Sequence, residues 1–273
     1  MEESKRIERS IITTYRKTVW NKFIEGVKTY EMIAPGDRIA VCMSGGKDSA
    51  LLAKCMQELQ KHGEMPFTLR FLVMDPGYSE ENRRRIVENA ARLDIPIEIK
   101  ESDIFESVES VGKNPCYLCA RMRRGYLYSF AREMGCNKIA LGHHFDDVIE
   151  TTLMGLLYGA QMQTMLPKLR SSNFEGMELI RPLYCVRERD IIRFVRYNKL
   201  EFLRCACKRT LMDAGCEAEG VSKRRLVKEL IAGLEKDNSQ VPVNIFRAPE
   251  DVRLTELIGY TGKDGYHRFT DEY

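Results

Sequence analysis

No stretch of the sequence approaches the ~18 consecutive apolar residues that a membrane span needs. The opening MEESKRIERSIITTYRKTVW carries charges throughout and has no apolar centre of signal-peptide length. From both absences a cytoplasmic protein with no membrane partner is expected. An excess of charge of one sign is also missing. The 43 Lys and Arg against 40 Asp and Glu leave a net charge of +3, so no global basic field announces a nucleic acid. The local basic clusters, Arg83-Arg84-Arg85, Arg121-Met122-Arg123-Arg124 and Lys223-Arg224-Arg225, read first as solvated helix faces. Internal repeats and low-complexity segments are absent too. What the chain has in plenty is cysteine. Nine of them, an odd number, argue in a reducing compartment against a disulfide framework and for working ligands or buried apolar fillers.

The 273 residues, 44% hydrophobic and 30% charged, suffice for one generous α/β domain with appendages. Residues 8–33 carry apolar positions at helical spacing (Ile12, Tyr15, Val19, Phe23, Val27), stopped by Pro35-Gly36-Asp37. Strands and helices then alternate. RIAVCMS, FTLRFLVMD, IPIEIKE, KIALG and MELIRPLY read as strands, and Asp48–Lys61, Ser79–Leu93, Pro115–Met134, Asp147–Tyr158 and Glu188–Asn198 as helices. Apolar strands separated by helices of this length predict right-handed βαβ crossovers and a parallel, Rossmann-like sheet. A basic helix from about Ser222 to Glu235 follows a loop. The expected organisation is a helical N-terminal extension over 1–35, an α/β domain over 36–205 and a helical C-terminal extension over 206–273.

Between the first core strand and its helix lies Ser44-Gly45-Gly46-Lys47-Asp48-Ser49. Paired glycines let backbone amides approach an anion, and the helix N-terminus adds its positive end. Ser44 and Ser49 add hydroxyls and Lys47 a cation. The spacing is neither G-x-x-x-x-G-K-[ST] nor G-x-G-x-x-G. The plainer alternative is a tight turn capped by Asp48. The second strand ends in Met74-Asp75 at the carboxyl edge, where nucleotides bind in open α/β folds. Met74 is a candidate for the adenine edge, and Asp75 belongs either to the site or to a turn with Pro76.

NPCYLCARMRRG begins with a good N-cap and a first-turn proline, so Cys116 and Cys119 stand i, i+3 in the first turn of a helix. That position favours thiolate, and Arg123 lies one turn on along the same face. A redox pair, zinc shared with Cys205 and Cys207, an iron–sulfur cluster and unliganded structural cysteines all suit the pair. GHHFDDVIETTLMGLLYG follows the fourth strand. Gly142 ends the strand and His143 stands at its edge as a candidate for polarising a phosphate oxygen. Asp147 with Glu150 has capping-box spacing, which leaves Asp146 freer to hold magnesium or handle a proton.

SGGKDS after the first strand resembles the pyrophosphate loop of the ATP pyrophosphatases. With C-x-x-C-x-x-x-R-R-G and GHHxDDxxET in this order, residues 36–205 resemble the tRNA-cytidine 2-sulfurtransferase branch of that family. The resemblance implies ATP cleaved between its α and β phosphates, with magnesium. It implies binding of the nucleotide by Ser44, Gly45, Gly46, Lys47, Asp48, Ser49, Met74, Asp75, Gly142 and Asp147, and chemistry at Lys47, Arg123, His143 and Asp146. It further implies a [4Fe-4S] cluster on three cysteines: Cys116, Cys119 and, by position, Cys205 or Cys207. The substrate would be a cytidine of a tRNA anticodon loop, thiolated at C2 with sulfide from a cysteine desulfurase or from solution. The amphipathic N-terminal helix packs either on its own core or on a second copy, as a homodimer. Three rivals keep part of the pattern. They are an amine-adding ligase of the lysidine or amide-forming kind, an ATP-binding sensor bearing a cluster, and a zinc-stabilised nucleotide-binding module.

Overall fold

The computed structural model describes residues 2–104, 115–202 and 222–271, with backbone alone at 115–117 and 119–120. Packing divides the chain into two compact units, one of residues 1–147 and 166–220 and the other of 148–165 and 221–273.

The first unit is built on a six-stranded sheet in the order β3-β2-β1-β4-β6-β5. The strands are β1 (Arg38–Met43), β2 (Thr68–Asp75), β3 (Ile97–Glu101), β4 (Lys138–Ala140), β5 (Lys168–Arg170) and β6 (Glu178–Ile180). All neighbours are parallel except β5, which runs antiparallel to β6 at the edge. Every residue of β1 after Arg38 is buried, as expected of a parallel strand covered by helices on both faces. From β1 the chain winds outward through β2 and β3, then returns to place β4 on the other side of β1. The switch point therefore lies between the carboxyl ends of β1 and β4, which is where a doubly wound sheet opens a crevice. The expected parallel, Rossmann-like α/β architecture is the one observed. β5, three residues long, is the addition.

Three helices matter for the site. α3 (Lys47–His62) follows β1, α5 (Pro115–Glu133) precedes β4 and α6 (Phe145–Gly159) follows it, while α4 (Glu80–Arg92) links β2 to β3 and α7 (Glu188–Tyr197) follows β6, the last strand of the sheet. The N-terminal region is two helices, α1 (Glu2–Ile12) and α2 (Asn21–Thr29), joined by a π-helical turn over Arg16–Trp20. Trp20 N–H reaches back to the Tyr15 carbonyl. The extra residue shifts the helical phase so that Val19 and Phe23 still face the core, both with no exposed surface. α1 is fastened to α3 by Lys54. Its Nζ, with 1% of its side chain exposed, donates to Glu8 Oε1 at 2.6 Å, Ser4 Oγ at 3.3 Å and the Leu93 carbonyl at 2.7 Å.

Beneath the sheet's opposite end, Asp37 accepts from Lys138 Nζ at 2.8 Å, the Ala34 N–H at 2.7 Å and Asn137 Nδ2 at 2.8 Å. Burial, the largest single influence, works to raise the Asp37 pKa. The Lys138 ammonium and the two amide donors outweigh it and hold the carboxyl below its ordinary range.

In the second unit α8 (Lys223–Asp237) and α9 (Val241–Arg247) precede a hairpin of β7 (Gly259–Gly262) and β8 (Gly265–Arg268). The extension expected to be helical therefore ends in a β-hairpin, turned at Lys263-Asp264 with Gly265 at φ +131° just after it and closed by Tyr260 stacked on His267 at 4.7 Å. Among the described residues no helix is long and apolar enough to cross a membrane.

Candidate active site

The glycine loop lies directly over the crevice. Gly45 sits at φ +78°, a conformation glycine adopts without the steric cost a side chain would add. α3 begins at Lys47 with Gly46 as an uncapped N-cap, so its first amides stay available to an anion. The two serines fix the loop: Ser49 Oγ accepts from the Ser44 N–H at 3.2 Å, donates to the Gly46 carbonyl at 3.1 Å and lies 3.2 Å from Ser44 Oγ. Lys47 Nζ is 3.1 Å from Asp48 and 3.1 Å from Glu188 Oε1. Burial pulls the lysine pKa down most strongly, but the two carboxylates together carry it above its ordinary value. Lys47 is therefore a fixed cation.

Gly142 explains how β4 comes so close to this loop. A Cβ there would stand 3.0 Å from Ser49 N and 3.1 Å from the Asp48 carbonyl carbon, so a side chain would press on the backbone of the first turn of α3. Beyond it, His144 and Asp147 cap α6 reciprocally. The His144 N–H donates to Asp147 Oδ2 at 3.0 Å, and the Asp147 N–H donates to His144 Nδ1 at 3.3 Å. This is capping-box geometry with histidine in the cap role, one turn earlier than the Asp147–Glu150 spacing suggested. Glu150 instead pairs with Arg224 at 2.8 Å. Asp146, expected to be the freer of the two aspartates, is the more engaged. It accepts from the Glu188 N–H at 2.6 Å and from Arg187 at 3.1 Å, while Asp147 reaches the cavity.

That cavity, of about 280 Å³, gathers Ser44, Asp48, Ser49, Met74, Arg123, Gly142, His143 and Asp147 with Tyr78 and Leu127. Five of the expected residues are not in its wall: Gly45, Gly46 and Lys47 of the loop, and Asp75 and Asp146. Asp75 is buried and closes a turn, its Oδ1 accepting from the Gly77 N–H at 2.9 Å and the Tyr78 N–H at 2.7 Å, and Asp146 faces Arg187. Cys205 and Cys207 lie outside the described residues. Helix α5 brings Arg123 and Leu127 to the cavity and packs Leu118, Met122, Tyr126 and Phe130 against Met74 and Ile104. Positions 116 and 119 lie seven and four residues before Arg123 in α5. Cys42, also at the cavity wall, is held protonated: burial, with some help from Cys136, pushes its thiol up to about 12.

Sequence reasoning missed Tyr78, Glu188, Arg187 and Arg181. Arg181, at the carboxyl end of β6, is 9% exposed. It donates through Nη1 to the Leu166 carbonyl, its Nε has no hydrogen-bond partner among the described residues, and burial lowers its pKa to about 10. None of these residues carries a local motif; the folded chain brings Tyr78 to the cavity wall, Glu188 to Lys47 and Arg187 to Asp146.

The crevice at the β1/β4 switch point, the glycine loop and the uncapped helix start define a nucleotide-binding α/β domain of the pyrophosphate-loop class. A family model described as a PP-loop domain matches residues 16–208. The chain is 36% identical over 262 residues to a tRNA-cytidine(32) 2-sulfurtransferase of Coxiella burnetii, with 94% of each chain covered. It is 36% identical over 252 residues to one of Alkalilimnicola ehrlichii, covering 90% of this chain and 76% of that one. This chain belongs to the PP-loop family and, within it, to the family of the tRNA-cytidine(32) 2-sulfurtransferases. Among solved structures, the U34-tRNA thiolase NcsA from Methanococcus maripaludis with its [4Fe-4S] cluster shares the fold. The TM-score is 0.66 at 22% identity, covering 89% of this chain and 80% of that one.

Proposed function

We propose that this chain is an ATP-dependent tRNA thiolase that replaces the C2 oxygen of a tRNA cytidine with sulfur, releasing AMP and pyrophosphate. The observation that carries it is one cavity shared by the glycine loop, the His143–Asp147 segment and the helix that bears Cys116 and Cys119. Phosphate activation and sulfur delivery must happen within a few ångströms of one carbon, and this arrangement answers that demand.

In the first step the C2 oxygen attacks the α-phosphorus, and the bond to the bridging oxygen breaks toward pyrophosphate. Loop amides and Lys47 receive the charge that develops on the leaving group. His143 and Arg123 line the same wall and stabilise the α-phosphate oxygens. In the second step sulfide adds to the adenylated C2, the C2–O bond breaks, and AMP departs to leave the thiocarbonyl. The target base must be unstacked to enter a cavity of this size, which favours a nucleotide of the anticodon loop. Sulfide arrives from a cysteine desulfurase or from solution, and the reaction takes place in the cytoplasm.

A [4Fe-4S] cluster fits the donor set. Two thiols stand at i, i+3 in a helical first turn, a site that favours thiolates. Cys116 and Cys119 would hold it, with Cys205 or Cys207 as third ligand. When bound it would hold the incoming sulfide for transfer. Magnesium, which binds through one or two carboxylates plus substrate phosphates, fits Asp48 and Asp147. Asp48 Oδ1 is buried, with Lys47 Nζ 3.1 Å away, and both aspartates line the cavity. Asp146, committed to Arg187 and the Glu188 N–H, fits it less well.

Two substitutions test the reading. Lys47→Ala cuts tRNA-dependent pyrophosphate release by about 100-fold or more and leaves bound iron unchanged. Cys119→Ser loses the iron and the thionucleoside, measured by metal analysis and by mass spectrometry of digested tRNA, but keeps ATP binding. Normal thiolation by Cys119→Ser refutes the sulfur route.

A further inference from the structure

The glycine loop is not empty of anions. Lys47 Nζ already lies 3.1 Å from Glu188 Oε1, a residue 141 positions away on the first turn of α7. We propose that Glu188 is a positioning residue that sets phosphate affinity: its carboxylate is the resident counter-ion of Lys47, and the pyrophosphate end of ATP displaces it. The inference rests on the reading of residues 44–49 as the pyrophosphate seat.

The pair is shielded from solvent, with the Lys47 and Glu188 side chains 27% and 19% exposed, so it is screened less than a surface ion pair. An ammonium has three donors. Two of those on Lys47 are directed at Asp48 and Glu188, and an incoming phosphate competes for them. Asp48 is the loop's own residue and is covalently bound to stay. Glu188 comes from another element and is held there deliberately. Its N–H donates to Asp146 Oδ2 at 2.6 Å, Asp146 is bound by Arg187 at 3.1 Å, and the Arg187 guanidinium lies over the Phe145 ring at 5.0 Å. This chain of contacts ties the start of α7 to the start of α6 and keeps a carboxylate beside a phosphate-binding lysine. That gives Asp146 a role: it anchors the element that carries Glu188. A negative charge so placed weakens pyrophosphate binding, and so eases release of the product, while it keeps Lys47 charged and in place between turnovers.

The experiment uses the full chain with inorganic pyrophosphate as the probe, titrated by calorimetry. Glu188→Gln keeps the backbone bond to Asp146 and the side chain's shape but removes the charge. The expected result is tighter pyrophosphate binding, by about three- to tenfold for a charge pair of this exposure, with the gap narrowing as ionic strength rises. Lost structure cannot tighten binding, so a gain separates this role from a purely structural one. Affinity that is unchanged or weaker in Glu188→Gln overturns the proposal, provided Lys47→Ala weakens binding as the loop reading demands. If Lys47→Ala binds pyrophosphate as well as the wild type does, the loop reading has failed and the Glu188 proposal falls with it.

Discussion

Replacing Arg181 with methionine is expected to stabilise the protein. Arg181 is 9% exposed, and the attraction of Asp147 is outweighed by burial. A guanidinium held at a pKa of about 10 instead of 12.5 costs about 3 kcal/mol in its charged form. Methionine removes that cost and fills a similar volume with an unbranched, adaptable chain. The substitution also gives up the bond from Nη1 to the Leu166 carbonyl, a loss of about 1 kcal/mol. The balance is about 2 kcal/mol in favour of the variant. For a unit of this size that corresponds to a rise of about 4–8 °C in melting temperature. The sign can be checked against pH. A base whose folded pKa is lowered disfavours folding wherever it is charged, and the handicap is relieved only as pH rises from about 10 toward 12.5. The gap between variant and wild type is therefore constant across neutral pH, read by thermal melts at several pH values. A variant that melts below the wild type refutes the reasoning, because burial of the guanidinium would then be repaid by contacts this balance omits.

Gly142→Ala forces a Cβ to 3.0 Å from Ser49 N, against backbone that has little room to yield. It should raise the KM for ATP by about tenfold with a smaller effect on iron content, measured by initial rates over an ATP series. Asp37→Asn breaks a buried pair with Lys138 and should cost about 3 kcal/mol at neutral pH, read from urea unfolding. Because the folded Asp37 pKa lies below its ordinary value of 3.8, its contribution is present above that pH and is lost as pH falls through the folded value. The wild type therefore loses stability more steeply than Asp37→Asn below pH 3.8.

Much of this molecule is local chemistry and could be read from its residues in order. A buried β-strand followed by two glycines, a lysine and a helix start is a pattern of neighbouring residues, so the PP-loop class of the domain was legible in SGGKDS. The same holds for the alternation that gives the parallel sheet and for the cysteine turn at the start of α5. The helix start at Phe145 was misjudged because its cap is a histidine, a residue whose ring nitrogen accepts an amide as well as a serine hydroxyl does but which carries no capping signal. The π turn at Arg16–Trp20 hid behind continuous helical spacing, and three-residue β5 was too short to show a period.

What the order of residues determined alone was the class of site: a phosphate loop, its amide-rich helix end and two thiols at helical spacing, each a property of a few neighbouring residues. Which side chains share the cavity was decided only by the winding of the sheet. The return that sets β4 beside β1 brings Gly142 and Asp147 to the loop, and it lets Glu188 meet Lys47 across 141 residues. Those contacts depend on crossover paths and strand order, and no spacing along the chain encodes the distance between two ends that meet only after the sheet has closed.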